Sequence, residues 1–101
     1  MKLVKDSLKL LKAVLPVPFK VVLKYDIKPY ERLRGQAEAK PTAEGDVGII
    51  RIELGMSPSE SLEVLCHEYA HLLAWNYNGF CDDAIWGLHY SDCYRVVYGK
   101  H

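Results

Sequence analysis

The pentapeptide HEYAH, residues 67–71, sets His67 and His71 four positions apart with Glu68 beside the first. On a helix, residues four apart project from one face about one turn apart, so both imidazoles can reach a single ion. Glu68 points about 100° away, near enough to meet a water held on that ion without coordinating it. This is the donor pattern of a zinc hydrolase, in which two neutral imidazoles and a third ligand hold the metal and one position takes water. The metal lowers the pKa of the water and polarises a scissile carbonyl; Glu68 takes the proton and delivers it to the leaving nitrogen. Zn2+ suits these donors best, and imidazole also accepts other divalent transition metals.

The surroundings of the motif favour that reading over a chance HExxH. Between Glu63 and Asp82 the only residue normally charged at neutral pH is Glu68. A helix apolar nearly all round is a buried one. Burying a carboxylate and two imidazoles is costly unless something compensates them, and a metal with its water does so. For the third ligand the spacing leaves three candidates open: Asp82, Asp83 and His89. Cys81 is less usual in a hydrolytic zinc site and His101 is terminal. The two aspartates stand where acids also cap helix N-termini, and His89 stands where it could pair with Asp92.

The elements that must position these groups can be read along the chain. Val4, Leu8, Leu11 and Leu15 recur at helical spacing with lysines opposite, which predicts an N-terminal helix ending at Pro16 and lying over a sheet. FKVVLKY at 19–25 reads as a strand and LRGQAEA at 33–39 as a weaker one. After the turn chemistry of KPTAEGDVG, the segment GIIRIEL alternates, with Ile50, Ile52 and Leu54 on one face and Ile49, Arg51 and Glu53 on the other. A three-stranded, mainly antiparallel sheet is the simplest arrangement. Ser57, Pro58 and Glu60 then form a helix start with a capping box. The spacing predicts a helix through HEYAH to Gly79, the short loop FCDD, and a last helix over about 84–98.

Length and composition bound what this scaffold does. The 101 residues, half of them apolar and 26% charged, make one domain spanning 1–101, with no room for a separate substrate-binding half. Three cysteines without CxxC spacing argue against a disulfide framework and against a zinc ribbon, so they are expected to be reduced. Lysines interrupt the apolar residues of MKLVKDSLKLLKAVLPV at every turn, leaving neither an uninterrupted apolar region nor a small-residue cleavage site; a soluble, cytoplasmic protein is expected. The formal net charge is zero, yet residues 1–40 carry +6 and residues 41–101 carry −6. Lys2, Lys5, Lys9 and Lys12 fit the solvated stripe of an amphipathic helix, and the basic half could also make a weak contact with nucleic acid.

HEYAHLLAW followed by a short loop and WGLHYSDCYRVVYG resembles the small phage-type and SprT-like metallopeptidases. The resemblance covers about residues 47–98, including the strand GIIRIEL before the capped helix. It implies a minimal zincin-like α+β domain: N-terminal helix, three-stranded sheet, HExxH helix and C-terminal helix. It also implies hydrolysis of peptide bonds in a peptide or protein substrate, with GIIRIEL as the edge along which an extended substrate pairs. In that family a histidine stands four positions before the aromatic residue that follows the loop. Four positions before Trp86 stands Asp82, which the resemblance therefore makes the third ligand, with His89 and Asp83 as alternatives. Aspartate is a sound zinc ligand, although its charge weakens the Lewis acidity felt by substrate. His89 is then free to stabilise the transition state, as are Tyr90 and Tyr77.

The leading expectation is thus a zinc-dependent metallopeptidase with Glu68 as general base and an open groove of modest selectivity. The altered third ligand motivates an alternative from another class, a non-catalytic metal-binding or partner-binding module on the same fold. A plain nucleic-acid-binding domain rests on the N-terminal lysines alone and lacks a recognition motif.

Overall fold

In the computed structural model of the chain, residues 2–31, 33–75 and 83–99 are described, the side chains of Tyr30 and Asp83 excepted. Helix α1 (Lys2–Val14) is followed by strand β1 (Lys20–Ile27) and a 3-10 turn at Pro29–Glu31. Strands β2 (Gly35–Thr42) and β3 (Gly45–Glu53) come next, then helices α2 (Pro58–Leu73) and α3 (Asp83–Tyr98). The architecture is α+β, with helices at both ends of the chain and a three-stranded sheet between them.

The sheet is mixed rather than mainly antiparallel, in the order β1-β3-β2. A two-residue turn, Ala43 and Glu44, forces β2 and β3 to pair antiparallel, from Thr42↔Gly45 to Gly35↔Ile52. The connection after β1 carries β2 to the far side of β3, so β1 and β3 lie side by side and parallel, from Lys20↔Val47 to Ile27↔Glu53. This placement corrects one expectation: β3, which holds GIIRIEL, is the central strand. Both of its backbone edges are already paired, and no substrate can add to it. The edges of the sheet are β1 and β2. Pro41, which cannot donate a ladder hydrogen bond, is tolerated because β2 is an edge strand.

Alternation in β3 buries Ile50 and Ile52 fully on the helix side, and β1 adds Val21; Ile27, beyond a register shift in β1, is buried outside that core cluster. Leu54, expected on the same face, follows the end of the strand and is exposed. Val4, Leu8 and Leu11 bring α1 into this core, while Lys2, Lys5, Lys9 and Lys12 stay in solvent. Lys5, Lys9 and Lys12 border a groove of about 400 Å³ with Leu23 and Tyr25 of β1. Leu62, Leu65, Tyr69 and Leu72 bury α2 against the sheet and α1. The Tyr69 hydroxyl donates to the Leu15 carbonyl at 2.7 Å, tying α2 to the end of α1.

The start of α2 follows the capping reading: the Glu60 N–H donates to Ser57 Oγ at 3.2 Å, Ser57 Oγ–H donates to the Glu60 carboxylate at 3.0 Å, and Pro58 opens the helix. The helix ends sooner than expected, at Leu73 rather than near Gly79. The Trp75 N–H bonds the Leu72 carbonyl at 3.2 Å, an i→i−3 closure that tightens the last turn and ends the helix. No helix among the described residues is long and apolar enough to cross a membrane.

Candidate metal centre

Helix α2 presents His67 and His71 one turn apart toward α3, and their Nε2 atoms stand 3.2 Å from each other. Glu68 Oε2 is 4.0 Å from His67 Nε2. Among the described residues, these three are the His, Cys, Asp and Glu side chains whose donor atoms gather closely enough to hold one ion, all within 4.8 Å. Two nitrogens bound tetrahedrally at about 2.0–2.1 Å would be separated by about 3.3–3.4 Å, so the spacing of the imidazoles fits a shared zinc ion.

The three residues differ in environment. His67 is exposed, His71 half-buried and Glu68 buried at 6% exposure. Although His67 is exposed overall, its ring is partly desolvated where it packs on Trp86 and His71, and this lowers its pKa and favours the neutral imidazole a metal requires. Burial pushes the Glu68 carboxyl up to about 7. A carboxyl poised near neutrality suits both halves of a proton transfer, and an adjacent divalent cation would offset the cost of ionising it.

Two features missing from the sequence reading shape this centre. The first is Trp86 of α3. Its ring stacks on His71 at 5.4 Å between centroids and meets His67 edge-on at 4.8 Å. Its Nε1–H donates to the His67 carbonyl at 3.2 Å. One indole thus sets the orientation of both imidazoles. Tyr90, one turn on, stacks on Trp86 at 5.2 Å, and Tyr94 and Tyr98 continue the row. The i, i+4 spacing of these four aromatics in α3 is visible in the sequence as a stripe.

The second is Gly35 at the start of β2. The backbone there passes so close to α2 that a Cβ would lie 2.4 Å from Val64 Cγ1 and 2.8 Å from Glu68 Oε2. A glycine inside a strand pattern is the available signal for such an approach. Beside it a groove of about 390 Å³ opens between Leu33, Arg34 and Gly35 on one side and Glu63, Val64, His67 and Glu68 of α2 on the other, with Tyr90 at its wall.

Of the other sequence candidates, Asp82 lies outside the described residues, as do Tyr77, Cys81 and His101. Asp83 opens α3, and only its backbone is described. His89 is on α3 but belongs neither to the His67, Glu68, His71 group nor to the groove lining. Its neighbour Asp92 accepts from Arg95 at 2.7 Å. Tyr90, by contrast, borders the groove, with its ring 6.2 Å from that of His67. Cys66 and Cys93 are free and fully buried, and burial pushes both thiols up to about 12, which keeps them protonated and inert.

Comparisons with protein-family models, with curated proteins and with solved structures find no match to this chain.

Proposed function

We propose that the chain is a metal-dependent peptidase acting on an extended peptide in an open groove. The observation that carries the reading is the 3.2 Å separation of the two Nε2 atoms with the buried Glu68 carboxylate 4.0 Å from one of them. A zinc ion held by His67, His71 and a third ligand, for which we propose Asp82, would supply Lewis acidity and lower the pKa of water at the site. Glu68 accepts a proton from the attacking water and returns it to the leaving nitrogen, a cycle that suits its pKa of about 7. Trp86 keeps both imidazoles aimed at one point. Tyr90, which borders the groove, would donate to the oxygen that gains charge as the carbonyl is attacked.

The substrate lies along β2 rather than β3. Among the described residues the outer edge of β2 is unpaired, and Gly35 brings that strand against Glu68. An extended peptide adding to this edge would run past the catalytic carboxylate. A contact with nucleic acid through the basic half would be made at the groove bordered by Lys5, Lys9 and Lys12. Loss of such binding with rising salt is its test.

The reading is tested by incubating a denatured protein substrate with the zinc-loaded chain and with Glu68→Gln. The wild type should cleave, and Glu68→Gln should keep zinc while losing at least about a hundredfold in rate. Equal cleavage by the two would remove the mechanism. Zinc retention without cleavage in the wild type would leave a non-catalytic metal-binding module. Stoichiometric zinc in Asp82→Ala would pass the third-ligand role to Asp83 or His89.

A further inference from the structure

The groove beside the candidate metal centre carries a carboxylate, Glu63, that the proposed hydrolytic chemistry does not use. Glu63 precedes His67 by four residues, so it stands one turn earlier on the same face of α2. Its exposed carboxylate borders the groove together with Leu33, Val64 and Tyr90. The other charged linings are already committed. Arg34 donates to Glu60 at 3.1 Å, and Glu68 is buried beside the imidazoles. Glu63 has no ion-pair partner among the described residues. Tyr90 is fixed by its stack on Trp86. Glu63 and Tyr90 line the same groove, which places the carboxylate and the ring on one cavity.

We infer that this end of the groove is a subsite for a cationic side chain of the substrate, lysine or arginine. The charged head meets Glu63, and the alkyl stem lies on Val64, Leu33 and Tyr90. Lysine and arginine are the side chains built this way, with an apolar stem and a charged tip. A cation close to the Tyr90 ring gains further attraction from the π system. An acidic side chain would face Glu63 with Arg34 already occupied by Glu60. The inference rests on the peptidase reading for its ligand, a peptide, and not on turnover.

The test uses labelled heptapeptides of otherwise uncharged sequence, with lysine, norleucine or glutamate placed at each position in turn. They are titrated by fluorescence anisotropy against the zinc-loaded Glu68→Gln protein, which holds them without cleavage. At one position lysine should bind about five- to tenfold more tightly than norleucine, and glutamate more weakly than either. Adding Glu63→Gln should bring lysine and norleucine together, and Glu63→Lys should reverse the order of lysine and glutamate. Equal binding of the three, no binding, or a lysine preference that survives Glu63→Gln overturns the subsite. The peptidase reading fails separately: if the lysine peptide binds with this preference and the zinc-loaded wild type leaves it intact, the subsite stands and hydrolysis falls.

Discussion

Gly35 and Glu68 touch across the gap between β2 and α2, so closely that a Cβ on Gly35 would stand 2.8 Å from Oε2 and 3.0 Å from Cγ of Glu68. The backbone of β2 is therefore one wall of the pocket that holds the Glu68 carboxylate. Gly35→Ala must push the strand outward or displace Glu68, and Val64 at 2.4 Å blocks the remaining way out. The expected cost is about 1–3 kcal/mol, read as a fall in melting temperature of roughly 5–20 °C. Cleavage should fall further than zinc affinity, because Glu68 moves while His67 and His71 do not. An alanine variant with the wild-type melting temperature would contradict the contact.

Gly87 gives the opposite expectation. It lies inside α3, where a Cβ would meet nothing within 4 Å. Gly87→Ala should stabilise the chain by about 0.5–1 kcal/mol through helix propensity and unfolded-state entropy. A denaturation midpoint shifted to higher urea, with unchanged zinc affinity, is the predicted result.

Trp86 holds both imidazoles, so its replacement should be felt at the metal. Trp86→Phe keeps a ring for stacking and loses the hydrogen bond to the His67 carbonyl, a change worth about 1 kcal/mol in stability. Trp86→Ala loses both and should weaken zinc binding by about tenfold or more. Tryptophan emission offers a direct check: Co2+ should quench the wild type strongly, and Trp86→Phe, which retains Trp75, much less.

The pH dependence follows from Glu68. Its pKa in the folded chain, about 7, lies above the ordinary value of 4.5. The folded state therefore binds more protons across that interval, and stability falls as pH rises. The contribution is fully present below 4.5 and lost as pH rises through about 7; it amounts to roughly 3 kcal/mol. Metal-free protein should melt lower at pH 8 than at pH 5. Glu68→Gln should remove most of that fall and exceed the wild type in stability at pH 8, showing that the Glu68 carboxylate is held at a cost to the fold. The same fall in Glu68→Gln would assign it to other groups.

Much of this was legible in the residues because local physics decides it. The Ser57–Pro58–Glu60 start of α2, the lysine stripe of α1 and the inward Ile50 and Ile52 depend on capping and periodicity, which act over a few positions. His67, Glu68 and His71 fall together for the same reason, since one helix carries all three. Strand order was not legible. Whether GIIRIEL is central or at an edge depends on which side of it β2 lands, and no residue of β3 records that choice. The early end of α2 likewise depends on the i→i−3 closure at Trp75, not on a glycine. Gly35 and Trp86 show the intermediate case. Each carried a signal, a glycine within a strand and an aromatic stripe on a helix, but the partner of each lies on another element.

The central claim is that His67 and His71 share one metal ion beside Glu68, and zinc content after equilibrium dialysis tests it most directly. Wild type and Glu68→Gln should each retain one zinc ion per chain, while His67→Ala and His71→Ala should each retain none. A wild type that leaves dialysis without zinc, or either alanine variant that keeps a full equivalent, would contradict the account.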